Sequence, residues 1–305
     1  SINGTTVTST AAELNYVDGV TSNVQTQLNT ISSSAVSSIN GLSDALVENN
    51  SIYLGNDPSS TTNSAAFNIA VGPFALDAIT TGDYNTAVGY DALTSNTTGS
   101  QNTAVGPLSL ISNTTGNYNT ALGVYSLYNN TTAYYNTALG RGALYSNTTG
   151  NRNTASGYNA LLGNTTGNYI TASGYNSLYN NTTGEYNTAL GSSSSFSNTT
   201  GSYNTSSGNN ALYNNTTGWY NTATGNNASL SSTTGNHNTA SGYNALYSHT
   251  TGHYNTVFGS QAGDAITTGG YNVIIGGTAD ASSNAINQIV IGYGNYGRGD
   301  YTAVI

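Results

Sequence analysis

Apolar and polar positions recur along this chain with a period of 17 residues. Over most of its length the repeat follows roughly G-x-Y-N-T-A-x-G-x-x-A-L-Y-x-N-T-T. A register this strict predicts a coil whose repeats stack directly on one another, because such a stack rejects insertions that helical repeats tolerate. The glycine after T-A-x occurs thirteen times without a single insertion, at Gly72, Gly89, Gly106, Gly123, Gly140, Gly157, Gly174, Gly191, Gly208, Gly225, Gly242, Gly259 and Gly276.

Two segments of each repeat have the residue types of short β-strands. Y-N-T-A-x-G is rich in Tyr, Thr and Val, and A-L-Y is the second candidate, while N-T-T-G and the glycines between them are typical of turns. This pattern predicts an all-β fold, a 17-residue-repeat β-solenoid or flattened β-roll with two strands per repeat. Thirteen rungs over residues 65–281 would stack to roughly 60 Å at about 4.8 Å per rung. A triangular solenoid is less consistent with the sequence, because no six-residue sub-period is present.

Each position of the repeat becomes a column when the rungs stack. Leu and Ala columns supply the candidate core. An Asn column predicts amide hydrogen bonds from rung to rung, as in other cross-strand ladders. Its members are Asn85, Asn102, Asn119, Asn136, Asn153, Asn187, Asn204, Asn221, Asn238, Asn255 and Asn272, with Ile170 as the one interruption.

The apolar content of a single rung is small. One Leu and one Ala bury little area at about 25 cal/mol per Å² against the entropy cost of ordering the chain. We therefore expect a second surface of each rung to be buried between copies of the chain, in an oligomer. Aromatic residues are the candidates for this seam or, equally, for an exposed receptor surface that stacks on sugar rings. They are Tyr118, Tyr135, Tyr169, Tyr186, Tyr203, Trp219, Tyr220 and Tyr254.

The two flanks depart from the 17-residue pattern. Residues 1–50 are assigned as an N-terminal linker and a short helical, coiled-coil-like stalk, because residues 14–45 alternate apolar positions at intervals of three and four. A single amphipathic helix lying against the roll is the alternative. Residues 51–64 are predicted to be a connector. Residues 282–305 keep strand-forming residues without the period, which is typical of a terminal cap.

Charge and composition exclude several classes of function. Charged residues make up only 5% of the chain, and between Gly99 and Gly263 only Arg141, Arg152 and Glu185 occur. Nothing there could follow a phosphate backbone, so no nucleic-acid partner is expected. No apolar run approaches the ~18 residues of a membrane-spanning helix, so no membrane insertion is expected. The absence of Cys excludes thiolate metal sites, and no cofactor or metal site is predicted.

Catalytic constellations are also missing from the repeat. No nucleophile motif such as G-x-S-x-G occurs, and between Gly99 and Gly263 the array has one acid, Glu185, where glycoside hydrolysis requires two. His237, His249 and His253 lie in neighbouring repeats without accompanying carboxylates, which argues against a metal site. The sequence therefore predicts a protein that is not an enzyme.

N-glycosylation sequons recur with the repeat. Their N-x-T pattern has two interpretations: a comb of glycans along one edge of the roll, or a β-turn whose sequence happens to match. The acceptors are Asn96, Asn113, Asn130, Asn147, Asn164, Asn181, Asn198 and Asn215.

Three stretches resemble known fibre proteins. TAAELNYVDGVTSNVQTQLNT is similar to a segment common in phage and phage-like tail fibre proteins. The repeat resembles arrays in tail-fibre-domain proteins that often end in a self-cleaving chaperone and, more distantly, the heads of trimeric autotransporter adhesins. NQIVIGYG resembles the last rung before that chaperone. The resemblance implies a parallel homotrimer that binds a host or another surface.

Together these observations lead to one expected function and one alternative. We expect a structural fibre protein, the shaft or head of a trimeric, tail-fibre-like appendage located outside the cell or on a virion. Its partners would be copies of itself and cell-surface carbohydrate. The alternative is a repeating subunit of an open-ended extracellular filament, N-glycosylated if the sequons are used.

Overall fold

The computed structural model describes residues 45–55, 58 and 61–305. In this part the chain is all-β and contains no α-helix, and it forms a parallel β-solenoid of about 15 turns. The solenoid and its 17-residue spacing confirm the coarse fold prediction. Most of the predicted stalk, residues 1–44, lies outside the described residues.

Each turn of the solenoid contributes one short strand. The strands are β1 Ala45–Glu48, β2 Ser51–Leu54, β3 Ile69–Val71, β4 Thr86–Val88, β5 Thr103–Val105, β6 Thr120–Leu122, β7 Thr137–Leu139, β8 Thr154–Ser156, β9 Thr171–Ser173, β10 Thr188–Leu190, β11 Thr205–Ser207, β12 Thr222–Thr224, β13 Thr239–Ser241, β14 Thr256–Phe258, β15 Val273–Ile275, β16 Ile289–Ile291 and β17 Ala303–Val304. From β2 onward each pairs in parallel with the next, so that Ala87 lies opposite Ala70 and Ala104. The middle residue of every strand from β3 to β16 is buried and its neighbours face outward.

The prediction of a second strand at A-L-Y is wrong. This segment is a series of turns, because its Leu adopts a left-handed backbone, with φ of +54° at Leu93 and +51° at Leu110. The Leu93 N–H still donates to the Ser109 carbonyl of the next turn at 3.1 Å, and the Ala92 N–H folds back to the Gly89 carbonyl at 3.3 Å. A 17-residue coil must close on itself, and the bends needed for closure override the strand propensity of Leu and Tyr.

Glycine follows every strand from β3 to β15 for a steric reason. Its φ lies between +128° and +142° along the whole column from Gly72 to Gly276, a region that side chains rarely adopt. A Cβ on Gly157 would also lie 2.5 Å from the carbonyl oxygen of Gly174 in the next turn. This close approach explains why the column contains no other residue.

The core is a set of inward-facing columns. Leu and Ala side chains fill it and are fully buried along the solenoid, from Leu76 to Leu246 and from Ala70 to Ala240. Serine replaces Leu at Ser195 and Ser229 and replaces Ala at Ser206, and the Ser195 hydroxyl donates to the Ser206 hydroxyl at 2.9 Å. Two hydrophobic clusters result, one ending at Ala189 and the other starting at Ala211.

Both ends of the solenoid extend beyond the predicted repeat region. At the start, β1 pairs antiparallel with β2, joined through Asn49 and Asn50, whose φ values of +46° and +59° suit a two-residue hairpin loop. Ser51–Leu54 therefore belongs to the solenoid rather than to a connector, and Ala45–Glu48 is a strand rather than part of a helix. At the other end, β16 and β17 continue the parallel stack with shorter spacing.

Candidate functional site

An exposed column of aromatic side chains runs along the solenoid and is here called the aromatic ladder. Each member precedes the buried Asn of its turn, except Tyr169, which precedes the buried Ile170, and each has a left-handed φ between +55° and +60°. Bulky residues seldom adopt this conformation, which turns the side chain outward at the corner before the strand. The ladder consists of Phe67, Tyr84, Gln101, Tyr118, Tyr135, Arg152, Tyr169, Tyr186, Tyr203, Tyr220, His237, Tyr254 and Tyr271.

Consecutive rings of the aromatic ladder stack face to face. Where two rings adjoin, their centroids lie 4.7–5.0 Å apart and their planes differ by 4–18°. The spacing follows from the backbone, because parallel strands lie about 4.8 Å apart. Each ring pair adds about 0.5 kcal/mol beyond the area it buries, the lower end of the range for aromatic pairs, because the rings are half in solvent. The ladder is therefore ordered by its own contacts while one edge of every ring remains in solvent.

Arg152 continues the aromatic ladder where a ring is missing. Its guanidinium carbon lies 5.7 Å from the centroid of Tyr135 and 5.2 Å from that of Tyr169. One guanidinium nitrogen donates to the Tyr169 hydroxyl at 2.8 Å. A cation over an aromatic face is attracted by the ring quadrupole. The substitution thus preserves the stack between the two tyrosines.

The eight aromatic residues predicted from the sequence lie on one stripe. Seven of them belong to the aromatic ladder, and Trp219 lies in the adjacent column, with its ring 5.1 Å from that of Tyr220. Their side chains are 43–49% exposed in the single chain. This placement is compatible with both predicted uses, a seam between chains and a receptor surface.

A second aromatic column was missed in the sequence because its residues were assigned to a strand. It includes Tyr128, Tyr145, Tyr179, Phe196 and Tyr213, all half-buried. Tyr128 and Tyr145 stack at 4.9 Å, and Phe196 stacks on Tyr179 and Tyr213 at 5.1 Å. Its 17-residue spacing was the signal that could have revealed it.

The predicted Asn column is confirmed, and it lies inside the solenoid. The backbone N–H of Asn102 donates to Asn85 Oδ1 at 3.0 Å, and the Asn102 side-chain amide donates to the Gly116 carbonyl at 2.8 Å. The same two bonds recur in the neighbouring turns, and all members are buried. Ile170 interrupts the column, as the sequence predicted, because its side chain has no amide to donate or accept a hydrogen bond.

The sequon asparagines form a second buried ladder. Each amide nitrogen from Asn113 to Asn215 donates to Oδ1 of the Asn one turn earlier, at 2.7–3.0 Å. It also donates to the carbonyl three residues later, at 2.9–3.3 Å. A glycan is attached through this same nitrogen, and all eight side chains are at most 1% exposed. The folded solenoid therefore excludes the predicted comb of glycans.

Two titratable side chains near the C-terminal end are perturbed by burial. His249 occupies a place in the sequon column, and desolvation lowers its pKa to about 4, assisted by the nearby His253 and opposed by the Gly252 backbone. Desolvation likewise raises the pKa of Asp280 to about 6, with Asp264 beside it adding to the shift. Across the described residues, no group of three or more His, Asp or Glu side chains is placed to hold a metal ion.

Comparison with known proteins returns no family model, no curated protein and no solved structure that matches this chain. A separate search of the described segments finds no helix of the length and apolar character needed to cross a membrane. The arguments about function therefore rest on the geometry of the solenoid and its surface columns.

Proposed function

We propose that this chain is a shaft or head segment of a non-enzymatic fibre that binds a surface, assembled as a homotrimer on a tail-fibre-like appendage. The observation that carries the proposal is the uninterrupted stack of similar turns. At about 4.8 Å per turn, about 15 turns give a rod of roughly 70 Å. Each repeat adds one step of length, which is the property a spacer requires.

Hydrogen bonds around the whole perimeter make the rod stiff. The strand segment is paired with both neighbouring turns, and Leu93 N–H binds the next turn from the opposite part of the coil. At the Thr-Thr corner, Thr97 donates to the Thr114 carbonyl through its N–H at 3.0 Å and through its hydroxyl at 3.1 Å. Bending the rod would stretch hydrogen bonds on one side. The rod therefore resists bending, and its two ends stay at a fixed distance.

Self-association is supported by the exposed apolar surface. Besides the aromatic ladder, the outward strand positions Leu122, Leu139, Leu190, Phe258 and Ile275 are 36–49% exposed. Soluble monomers rarely expose apolar patches larger than a few hundred Å², and larger ones mark interaction surfaces. Copies packed side by side would bury these columns over the length of the rod. Three copies is the number that the resemblance to tail fibres implies.

The open-ended filament remains the second candidate, and the start of the solenoid disfavours it. A head-to-tail polymer would need the first turn to accept a parallel strand from the preceding copy. In the described part of the chain the first turn instead pairs with the antiparallel strand β1. That hairpin ends the parallel stack, which supports a segment of finite length.

The proposal places the chain outside the cell or on a virion, where it contacts carbohydrate or a similar surface. Native mass spectrometry with electron microscopy of the same sample tests it. We expect a closed assembly of three 31.2 kDa chains that appears as a rod of roughly 70 Å. A monomer would overturn the assembly, and an open ladder of masses with long fibres would favour the filament.

A further inference from the structure

The outer surface of the solenoid contains an open cleft beside the second aromatic column. Its volume is about 460 Å³, within the range of about 300–1,000 Å³ that is typical of small-molecule sites. Its aromatic wall is formed by three tyrosines, and four further residues complete the lining: Tyr125, Tyr128 and Tyr145, then Arg141, Gly142, Asn159 and Leu162. The cleft lies apart from the aromatic ladder, on another part of the coil.

Gly142 creates the cleft because it lacks a side chain. The same place in the turns before and after is occupied by Tyr125 and Asn159, and all three residues have a left-handed backbone, with φ of +60°, +67° and +53°. The backbone is therefore continuous through this column, and only the side chain is missing. The result is a gap one turn wide between a tyrosine and an amide.

The aromatic wall presents rings in two orientations. Tyr128 and Tyr145 stack with their planes 8° apart, and the Tyr125 ring stands nearly perpendicular to both, at 66° and 74°. Flat rings meeting at such an angle offer an apolar platform and an edge, and the Tyr hydroxyls and the Asn159 amide add hydrogen-bonding groups. This combination suits a sugar ring, which has apolar C–H faces and a polar rim.

Arg141 gives the cleft a positive charge that no carboxylate among the described residues neutralises. Its guanidinium lies 5.7 Å from the Tyr125 centroid and 5.4 Å from that of Tyr158, and donates to the Tyr158 hydroxyl at 3.0 Å. These aromatic contacts hold it beside the gap. In the described part of the chain it has no carboxylate partner, and the only acid between Gly99 and Gly263 is Glu185, which accepts from Asn168. A free guanidinium in a fixed position favours a carboxylate.

We propose that this cleft binds a pyranoside that carries a carboxylate, such as a uronic or a sialic acid residue at the end of a surface glycan. The sugar ring would pack against the tyrosines, and its carboxylate would pair with Arg141. The inference rests on the proposed surface-binding role and adds to it a location and a ligand class. It also predicts discrimination against neutral sugars, because only an acidic sugar can pair with Arg141. The chain as a whole has a net charge of −9 and therefore has no general attraction for anions.

The test measures binding of methyl glycosides of glucuronic, galacturonic and N-acetylneuraminic acid, each against its neutral methyl ester, by saturation-transfer NMR and calorimetry. We expect at least one acid to bind tenfold or more tightly than its ester. Arg141→Gln should reduce that acid to the level of its ester, whereas Arg298→Gln, which removes the same charge from the exposed C-terminal region, should not change binding.

A second variant tests the contribution of the cleft's shape while the charge of Arg141 stays in place. Gly142→Asn fills the gap with the residue that the next turn carries at this place, and its new Cβ meets only the Asn159 side-chain oxygen closely, at 2.6 Å. It should fold as the parent does and lose binding of acid and ester alike. Absence of binding for all three acids, or acid binding unaffected by both variants, overturns the inference. The native mass of the same sample shows separately whether the proposed trimer has failed.

Discussion

The buried Asn ladders and the exposed aromatic ladder are built on the same repeat, yet they tolerate change very differently. The sequon ladder keeps Asn in eight consecutive turns, and the other Asn column has one interruption, at Ile170. The aromatic ladder accepts Phe, Gln, Arg and His beside Tyr. Inside, each amide completes hydrogen bonds of two or three other groups that have no access to water, whereas a ring in the aromatic ladder completes only a stack whose edge is solvated.

This difference shows which part of the repeat carries the fold and which part is free for function. A polar group in the interior without a partner costs more than its hydrogen bond contributes, so the interior columns resist substitution. The outer columns determine what the surface offers to other molecules. Arg141 and Gly142, which carry the proposed sugar cleft, lie in outer columns where the residue type changes from turn to turn.

The largest expected effect comes from removing one amide of a buried ladder. Asn136→Ala removes the acceptor of the buried Asn153 N–H, at 3.0 Å, and one of the two donors to the Gly150 carbonyl, at 2.8 Å, while Asn147 still donates to that carbonyl at 2.9 Å. One buried N–H without a partner costs about 1–3 kcal/mol and the second lost bond about 1 kcal/mol, so we expect a loss of about 2–4 kcal/mol in the free energy of unfolding, measured with urea.

The matched control is Asn226→Ala. Asn226 is exposed and makes one long amide bond to Asn209, at 3.4 Å, so its removal should cost less than about 0.5 kcal/mol. Equal effects of the two substitutions would contradict the distinction between inner and outer columns.

The pH dependence of stability tests the cost of placing a charge in the same interior, because the imidazole of His249 is buried there. Its pKa is about 4 in the folded chain and 6.5 in the unfolded chain, so only the unfolded chain takes up the proton between these values. Stability is therefore retained above pH 6.5 and falls by about 1.4 kcal/mol per pH unit down to pH 4, on the order of 3 kcal/mol in total.

His249→Asn restores the residue of the sequon ladder and should remove this part of the pH dependence. The contribution of Asp280 has the opposite sign: its raised pKa of about 6 means that stability is lost as pH rises from about 4 to 6. Because both proteins contain Asp280, the difference between their unfolding curves isolates His249. A difference that stays constant from pH 8 to pH 4 would show that the imidazole is not held neutral.

Ser229 offers a gain of stability in the core. It is buried in the Leu column between Leu212 and Leu246, and its φ of +52° matches those of its neighbours, +52° and +56°. Its hydroxyl has no hydrogen-bond partner among the described residues. Ser229→Leu should stabilise the chain by about 1–2 kcal/mol, since a buried Leu contributes about 1.5–3 kcal/mol before misfit is subtracted.

Ser195→Leu is the matched control for this gain. Ser195 occupies the same column, but its hydroxyl bonds that of Ser206 at 2.9 Å, and the substitution would leave Ser206 without this partner. The gain should therefore be smaller than at Ser229 in thermal unfolding followed by circular dichroism. A larger gain at Ser195 would mean that the serine pair does not stabilise the interior.

The period and one Asn ladder could be predicted from the sequence, because spacing alone places Asn85 over Asn102. The inward direction of Asn96 and its equivalents could not be predicted. N-T-T-G has the residue types of a surface turn, and only closure of the whole coil turns its first residue inward. The A-L-Y segment was misassigned for a related reason, since the left-handed φ of Leu93 follows from the bend and not from its propensity. The cleft required the structure, because a missing side chain at Gly142 matters only beside Tyr125.

The smallest expected effect on the single chain comes from the aromatic ladder. Tyr186→Ala removes stacking on Tyr169 and Tyr203, each at 4.9 Å, and should cost the folded monomer about 1 kcal/mol because the rings are half in solvent. Tyr186→Gly should be more stable than Tyr186→Ala despite the greater entropy of its unfolded chain, because the +55° φ strains any residue with a Cβ.

If the aromatic ladder is the seam between chains, Tyr186→Ala should weaken the trimer far more than the monomer. Native mass spectrometry of a dilution series measures the concentration at which each trimer dissociates. If the variant trimer dissociates at the same concentration as the parent trimer, the seam lies elsewhere on the rod.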